Sequence, residues 1–380
     1  MPEEAKRILL VGGGSGGHTI PLFSVLHALL EIKPDLLYWY VGSQSDLGSS
    51  LVQAEPLLHR KDRQVAYAVR TGKLNRYLTT RHLGQLRDFL LGMGDAQRLL
   101  RRLRPNMVFS KGGAVSVPVV LAAHQLGIPI YTHETDVRSG LANRITARYA
   151  TRIFTVYPTS YYSARLQPKM EYVGQPIRPE FFTPPQHVKL VVGEREVERD
   201  LPIVLVTGGS QGAHRLNELV AGGWTTILAK VRLIHQCGPH DFDSLHAEAT
   251  RLSPLLAKRL YLTPLITEGM AGLLAASQVV VSRAGGSIME FAACKKPAIL
   301  IPLSTAAQDH QMANARVLEA AGAAIVLDER QIASATLAQV VVELVEDEEQ
   351  RMALSQGIAR FAKPDAATHI AQTLLSHDHA

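Results

Sequence analysis

The sequence predicts an α/β protein of two Rossmann-like domains, each a doubly wound parallel sheet, that face a cleft. Three observations indicate this fold. The chain has 380 residues, of which 46% are hydrophobic and 19% charged, which suits two globular domains. Short aliphatic runs alternate with segments of helical periodicity, as strands and crossover helices do. A strand, a glycine loop and a helix follow one another twice, from Lys6 and again from Ile203.

The first half contains predicted strands that each end on glycine or polar residues. The first strand, Lys6–Val11, runs into the glycine loop 12–17, and a helix is predicted over Pro21–Ile32. Three further strands are predicted: Leu36–Val41, Met107–Ser110 before Lys111-Gly112-Gly113, and Ile128–Thr132 before His133-Glu134. Because carboxyl ends of parallel strands share one edge of a sheet, these loops are expected to lie together.

The second half repeats this organisation. Its first strand, Ile203–Thr207, precedes the glycine loop 208–212 and a helix from Leu216. Three more strands are predicted, namely Arg232–His235, Val279–Ser282 and Ala298–Pro302. Proline and glycine punctuate residues 174–185 as a linker would. We predict domains over 1–165 and 166–354, the first completed by a C-terminal helix over 355–380.

The first glycine loop fits two nucleotide-binding patterns incompletely. Gly12-x-Gly14-x-x-Gly17 matches the dinucleotide fingerprint, but the second strand ends Tyr40-Val41-Gly42-Ser43 without the acid that holds a ribose. A Walker A loop would need a lysine where His18 stands. Glycines at three strand ends, 12–17, 112–113 and 208–212, instead predict backbone sites for a diphosphate. The alternative is that they only permit tight turns.

Charge and cysteine content restrict the classes of protein. The formal net charge of +6 suits anionic partners such as nucleotide phosphates or an anionic bilayer. A nucleic acid partner is not expected, because the basic residues do not interleave with aromatics, which make 6% of the chain. Two cysteines, Cys237 and Cys294, give neither a disulfide framework nor a zinc motif. No signal peptide or spanning helix is predicted, so we expect a cytoplasmic protein.

Motifs in both halves resemble one known family. They are Gly13-Gly14-Ser15-Gly16-Gly17-His18, Ser110-Lys111-Gly112-Gly113, His133-Glu134-Thr135-Asp136 with Gly140-Leu141-Ala142-Asn143, Gly174-Gln175-Pro176-Ile177-Arg178, residues 207–213, His235-Gln236-Cys237-Gly238, Ser282-Arg283-Ala284-Gly285, Lys296-Pro297, and Asp309-His310-Gln311 with Asn314-Ala315. In this order, and over nearly the whole chain, they resemble the MurG family of peptidoglycan glycosyltransferases, which convert lipid I to lipid II.

The resemblance implies a GT-B fold and an activity. The activity is inverting, metal-independent transfer of N-acetylglucosamine (GlcNAc) from UDP-GlcNAc to the C4 hydroxyl of the N-acetylmuramyl sugar (MurNAc) of lipid I. No cofactor is implied. His18 becomes the candidate general base, since a neutral histidine can accept a proton in the transition state. Glu134 is the alternative base or the group that orients the acceptor, and Asp136 is a further alternative.

The resemblance also implies two sets of binding residues. Those for the acceptor and its phosphates are Gly14, Ser15, Gly16, Gly17, Gly112, Gly113, Asp136 and Asn143. Those for the donor are Ser210 at the diphosphate, Glu290 at the ribose, Gln311 and Asn314 at the GlcNAc hydroxyls and Ile266 to Met270 around the uracil, with Gln211, His310, Arg178 and Arg283. The alternatives are that Glu290 is a helix-start acid and that Gln311 and Asn314 form a solvated helix face.

The sequence also bears on a metal site and on two rival functions. Asp241-Phe242-Asp243 matches the Asp-x-Asp of metal-dependent transferases, but its position after Gly238-Pro239 predicts a helix start. His377 and His379 lie in a predicted terminal tail. The rivals are a sugar-nucleotide epimerase, or another UDP-sugar transferase, of the same architecture, and a noncatalytic module that binds a UDP-sugar.

Residues 70–104 predict peripheral attachment to the cytoplasmic face of a membrane. The segment holds nine cations against Asp88 and Asp95: Arg70, Lys73, Arg76, Arg81, Arg87, Arg98, Arg101, Arg102 and Arg104. Leucines and aromatics are interleaved with them, as in segments that dip into anionic headgroups. The alternative is an ordinary amphipathic helix with its leucines in the core. A lipid-linked acceptor favours the membrane interpretation, because the acceptor stays in the bilayer.

Overall fold

The computed structural model of the chain describes residues 6–13, 16–71, 82–185, 189–306 and 309–376. The chain divides into two compact units: unit 1 is Met1–Arg178 with Lys363–Ala380, and unit 2 is Pro179–Ala362. The predicted loop residues Gly14 and Ser15, residues 72–81 of the predicted membrane segment, and His377 and His379 lie outside the described residues.

Unit 1 contains a seven-stranded parallel sheet in the order β3-β2-β1-β4-β5-β6-β7. Its strands are β1 (Arg7–Gly12), β2 (Leu37–Gly42), β3 (Ala66–Ala68), β4 (Met107–Gly112), β5 (Ile130–Glu134), β6 (Arg152–Thr155) and β7 (Met170–Tyr172). Strands β2 and β3 follow on one side of β1, and strands β5, β6 and β7 follow on the other side of β4. The carboxyl ends of β1 and β4 therefore form the topological switch point, where ligands of such sheets bind.

Helices cover both faces of this sheet. They are α1 (Gly16–Ile32), α2 (Gln44–Leu47), α3 (Ser50–Gln53), α4 (His82–Leu103), α5 (Ser116–Gln125), α6 (Leu141–Tyr149) and, from the C-terminal part of the chain, α16 (Ala366–Ser376). Strand residues alternate between two apolar cores, one with Leu10 and Phe109 and the other with Leu9 and Val108. Burial of both faces explains why these strands are continuous apolar runs.

Unit 1 extends beyond the boundary expected at residue 165. β7 pairs with β6, so residues 170–172 complete the sheet of unit 1. The predicted C-terminal helix over 355–380 also differs, because the chain turns between α15 (Glu348–Ala359) and α16. α15 belongs to unit 2, whereas α16 packs against α1 and buries Ile370 and Leu374 in the first core of unit 1.

Unit 2 contains a six-stranded parallel sheet in the order β12-β11-β10-β13-β14-β15 and a separate antiparallel pair, β8-β9. The strands are β8 (Val191–Val192), β9 (Arg195–Glu196), β10 (Ile203–Thr207), β11 (Arg232–Gln236), β12 (Leu260–Thr263), β13 (Val279–Ser282), β14 (Ala298–Leu300) and β15 (Ile325–Val326). Its switch point lies at the carboxyl ends of β10 and β13.

The helices of unit 2 pack on this sheet. Besides α15 they are α7 (His214–Ala221), α8 (Trp224–Leu228), α9 (Phe242–Ala249), α10 (Pro254–Arg259), α11 (Met270–Ala276), α12 (Ile288–Ala293), α13 (His310–Ala320) and α14 (Ser334–Glu346). The predicted fold of two parallel Rossmann-like sheets is confirmed. Across the described ranges, no helix is both long and apolar enough to cross a membrane.

Candidate active site

His18 lies in the first turn of α1, at the switch point of unit 1. The glycine loop after β1 leads directly into α1, whose first residues are Gly16 and Gly17. The His18 ring nitrogen Nδ1 lies 3.1 Å from the backbone oxygen of Lys111, at the end of the neighbouring strand β4. A carbonyl oxygen can only accept, so Nδ1 carries the proton and Nε2 has the lone pair. The contact thus fixes the tautomer in which Nε2 can act as a base.

The surroundings of His18 also set its charge. The pKa of His18 is lowered to about 4, first by burial and then by the Lys111 ammonium. Asp136, the hydrogen bond to the Lys111 carbonyl and Asp46 oppose this shift but do not outweigh it. A lowered pKa keeps a histidine neutral at neutral pH. The imidazole is therefore ready to accept a proton.

Lys111 is a buried cation that was not among the predicted site residues. Its side chain is 1% exposed, and its ammonium donates a hydrogen bond to the Thr135 hydroxyl. Burial lowers the pKa of Lys111 to about 8, against the opposing charges of Glu134 and Asp136. One feature of the sequence could have indicated it: in Ser110-Lys111-Gly112-Gly113 the lysine directly precedes a glycine pair at a strand end.

Glu134 ends β5 and is 5% exposed. Its Oε1 accepts from the backbone N–H of Asp136, and its Oε2 accepts from the side-chain amide of Asn143, each at 3.1 Å. Burial, and then the charge of Asp136, raise the pKa of Glu134 against opposing hydrogen bonds and Lys111. Both oxygens are engaged, so this carboxylate is better placed to orient neighbouring groups than to take a proton.

Gly112 and Gly113 are required by the packing at the end of β4. Gly112 has φ +102°, and a Cβ there would lie 2.2 Å from Oδ1 of Asn143. Gly113 has φ +85°, and its Cβ would lie 2.5 Å from the backbone oxygen of Gly13. Residues other than glycine rarely adopt such φ values. The structure therefore brings together the predicted residues His18, Gly112, Gly113, Glu134, Asp136 and Asn143.

In unit 2, the predicted diphosphate loop follows β10. Ser210 and Gln211 are exposed at the turn of this loop, in which the backbone N–H of Gly212 bonds to the oxygen of Gly209 at 3.1 Å. Gly212 has φ +78°, and a Cβ there would lie 2.2 Å from the backbone oxygen of Cys237. The loop after β10 is thus pressed against the loop after β11.

Gln236 connects three loops at this end of the sheet and was not predicted as a site residue. Its amide nitrogen donates to the oxygen of Gly209 at 3.0 Å, and its amide oxygen accepts from the backbone N–H of Ile266 at 3.1 Å. The predicted uracil residues Ile266 and Met270 are half-buried; the backbone of Ile266 contacts Gln236, and Met270 begins α11. The loops predicted for diphosphate and uracil are therefore tied together by one buried amide.

Arg283 follows β13 and forms a buried ion pair. Its guanidinium donates to Oε2 of Glu329 at 2.5 Å and to the backbone oxygen of Ile301 at 2.9 Å, and the two side chains are 8% and 5% exposed. Glu329 also accepts from the backbone N–H of Ser304 at 2.6 Å. The pair has no net charge, so Arg283 fixes the loop after β14 more directly than it supplies positive charge to a ligand.

The remaining donor residues differ in accessibility. Glu290, His310 and Gln311 are half-buried, in or at the first turns of α12 and α13. Oε1 of Gln311 accepts from the backbone N–H of Leu303 at 2.9 Å, so Nε2 is the group that it can offer a ligand. Asn314 is 1% exposed and donates to the oxygen of Ala284 at 3.3 Å. Asn314 is thus packed inside unit 2, not on a solvated face.

Two further predictions concern Arg178 and the Asp-x-Asp motif. Arg178 is exposed at the end of its segment of unit 1. Asp241 occupies the N-cap position of α9, as the helix-start interpretation predicts, and its carboxylate bonds to His214 and Asn217. Within the described ranges, no group of three or more His, Cys, Asp or Glu residues is placed to hold a metal ion.

Comparisons with known proteins agree across both units. The glycosyltransferase family 28 N-terminal domain matches residues 8–155, and the C-terminal domain of that family matches residues 203–370. A Lachnospira eligens protein is 35% identical over 354 residues, which cover 91% of this chain and 92% of that protein. It is named UDP-N-acetylglucosamine--N-acetylmuramyl-(pentapeptide) pyrophosphoryl-undecaprenol N-acetylglucosamine transferase.

Two solved structures share the fold. Acinetobacter baumannii MurG has a TM-score of 0.71 at 22% identity, covering 98% of this chain and 100% of that one. A Neisseria meningitidis UDP-GlcNAc 2-epimerase has a TM-score of 0.68 at 13% identity, covering 98% and 100%. Such similar scores mean that the fold alone does not separate the two activities.

The two units, their glycine loops and the family 28 domains define a glycosyltransferase of the GT-B class. The sequence identity to the transferase from Lachnospira eligens, over most of both chains, narrows this class to one family. The chain belongs to the MurG family.

Proposed function

We propose that the protein transfers GlcNAc from UDP-GlcNAc to the C4 hydroxyl of the MurNAc of lipid I, with inversion and without a metal ion, to make lipid II. The donor and acceptor follow from the names of the curated relatives. The observation that carries the chemistry is the contact of His18 Nδ1 with the Lys111 carbonyl, which leaves Nε2 as a neutral base.

The proposed step is a single displacement. Nε2 of His18 takes the proton of the acceptor hydroxyl while that oxygen attacks the anomeric carbon of GlcNAc. The bond from this carbon to the UDP oxygen breaks, and its electron pair leaves with the diphosphate. Backbone N–H groups of the loop after β10 would stabilise the departing charge, because preorganised dipoles need no reorganisation during the reaction. Glu134, held by Asn143 and Asp136, would orient the acceptor.

A transfer assay tests this function. UDP-GlcNAc with a radiolabelled sugar is incubated with a lipid I analogue, with and without excess chelator, and the anomeric configuration of the product is read by NMR. We expect a β-linked disaccharide, formed equally well with chelator. Conversion of UDP-GlcNAc to its C2 epimer without acceptor would indicate an epimerase. Nucleotide binding without turnover would indicate a binding module.

The donor side of the proposal depends on Gln311. Replacing Gln311 by alanine is expected to weaken discrimination between UDP-GlcNAc and its C4 epimer by about tenfold, because one hydrogen bond to a sugar hydroxyl is lost. Gln311→Glu is the matched control, since it keeps the oxygen that accepts from Leu303 but lacks the Nε2 donor. Equal kcat/KM ratios for the two sugars in wild type and Gln311→Glu would show that Nε2 does not read the sugar.

We also propose attachment to the cytoplasmic face of the membrane through residues 70–104. Arg70 and Arg98 pair with Asp95, whereas Arg87 is exposed and Leu90 is 61% exposed on α4. Lys73, Arg76 and Arg81 lie outside the described residues. Exposed cationic and apolar side chains together suit an anionic lipid surface.

Vesicle cosedimentation tests this attachment. The double variant Arg87→Glu, Leu90→Gln is expected to bind anionic vesicles at least about fivefold more weakly at low salt. The reason is that each basic residue near an anionic surface contributes about 1 kcal/mol to binding. Arg251→Glu makes the same charge change at an exposed site of unit 2 and serves as the control. Equal loss in both variants would mean that net charge, not this segment, determines binding.

A further inference from the structure

The backbone at Lys111 departs from regular sheet pairing. Along β1 and β4, Val11 pairs with Ser110 and Gly12 with Gly112, so the register skips Lys111. On the other side of β4, pairing with β5 ends at Ser110. Bulges are rare between parallel strands, and they occur next to active sites, where they redirect a side chain. The bulge leaves the backbone oxygen of Lys111 for His18 instead of a strand partner.

The redirected side chain is a buried cation beside two acids. Its ammonium bonds to Thr135, which separates Glu134 from Asp136 in the chain. Burial of an ammonium is unfavourable unless opposite charges compensate it, and an apolar side chain of similar length would avoid that cost. The charge at this position is therefore expected to have a role that packing alone would not require.

Lys111 thus interacts both with the proposed base, His18, and with the two acids of the proposed acceptor site. Its backbone oxygen holds Nδ1 of His18, and its ammonium lies in the field of Glu134 and Asp136. We propose that Lys111 is a positioning residue: its backbone oxygen fixes the tautomer of His18, and its buried ammonium, bonded to Thr135, acts together with burial to disfavour a protonated His18 and favours the ionised form of Glu134. This inference deepens the proposed transfer reaction and rests on it for the roles of these two residues.

The charged and titratable groups around this lysine determine the sign of the effect. Lys111 interacts with His18 of α1, with His133 and Glu134 of β5, and with Asp136 after β5. Farther out, Asp46 of α2 acts on His18, and Tyr157 and Tyr162, after β6, interact with the acids Asp136 and Glu134. The Lys111 charge lowers the pKa of His18, of His133 and of Glu134, whereas Asp46 and Asp136 raise that of His18. Removal of the cation must therefore raise the pKa of His18.

The test measures the His18 pKa in the full chain without substrate. Histidine ring signals are followed by NMR against pH in wild type, Lys111→Met and Lys111→Arg, with His18 assigned from its loss in His18→Asn. Lys111→Met is expected to raise the pKa of His18 by about one pH unit, the lower range for a nearby charge. Lys111→Arg keeps the charge and should leave it low. If the methionine variant does not fold, Lys111→Gln replaces it.

The pH dependence of kcat/KM is the second readout. In Lys111→Met the acid limb should move upward with the His18 pKa, whereas a purely structural defect would lower kcat/KM at every pH without moving the limb. The inference is overturned if His18 titrates at the same pH in wild type and the neutral variants, or if the arginine variant shifts as far as they do. A shifted His18 pKa in a protein without transfer activity would overturn the proposed function and support the electrostatic role of Lys111.

Discussion

Replacing His18 by alanine is expected to lower kcat by about 10²- to 10⁴-fold, the usual contribution of a general base. The KM for UDP-GlcNAc should change little, because a group that acts on the acceptor proton contributes in the transition state and not in donor binding. Steady-state kinetics with a lipid I analogue measure both parameters.

His18→Asn is the matched control for this prediction. Its amide nitrogen can occupy the position of Nδ1 and donate to the Lys111 oxygen, but it has no basic nitrogen at the position of Nε2. The asparagine variant should be about as inactive as the alanine variant. If asparagine instead restores most of the turnover, the contact with Lys111 matters and the base lies elsewhere, with Glu134 and Asp136 as the next candidates.

The pH dependence provides an independent check. His18 has a pKa of about 4 in the free protein, below the ordinary value, so its neutral form persists as the pH falls through the mildly acidic range. The acid limb of kcat/KM that belongs to His18 should therefore lie near pH 4. Negative charge that develops on the substrates favours the imidazolium, so the basicity of His18 is expected to rise in the complex. An acid limb near 6.5, the ordinary histidine pKa, would contradict this assignment.

Breaking the buried pair of Arg283 and Glu329 is expected to have the largest effect on stability. Glu329→Gln should destabilise unit 2 by about 3–5 kcal/mol, because it leaves the Arg283 guanidinium buried without its counter-charge. The double variant Arg283→Met, Glu329→Leu should recover most of this loss, since an apolar pair of similar volume requires no charge compensation. A double variant as unstable as Glu329→Gln would contradict this explanation.

The two tryptophans allow unit 2 to be followed separately. Trp39 lies on β2 of unit 1, and Trp224 is 2% exposed on α8 of unit 2. In a Trp39→Phe background, the fluorescence of Trp224 during urea unfolding reports unit 2 without assuming that the chain unfolds in one step. The measurement compares the free energy of unfolding of each variant with that of the background.

The sign of the pH effect follows from the Glu329 pKa. Burial raises it, but hydrogen bonds from Ser304 and Arg283 outweigh burial, and the pKa of Glu329 is below its ordinary value. A carboxyl whose pKa is lowered on folding stabilises the protein fully above the unfolded pKa, about 4.3 for glutamate. This stabilisation is lost as the pH falls through the folded pKa. Glu329→Gln should therefore lose stability mainly above pH 4.3, and less in more acidic solution.

The two parallel sheets and the positions of the loops can be predicted from the order of residues along the chain. The strand Ile203–Thr207 has the predicted bounds, and the glycines 112 and 113 lie at the predicted strand end. These features could be predicted because strands buried on both faces are continuous apolar runs and because positive φ values select glycine. The order of the motifs also determined the family, which local chemistry alone would have left open.

The protonation and pairing of the reactive groups depend on contacts between segments that are distant in the chain. Sequence spacing does not reveal that the register skips Lys111, that both oxygens of Glu134 are engaged, or that Arg283 pairs with Glu329. Each of these contacts joins residues from different strands or loops, and charge and protonation depend on such neighbours and on burial. A sequence pattern indicates which residue occurs at a strand end. The packing of the sheet determines which atoms surround that residue, and these atoms determine its protonation state.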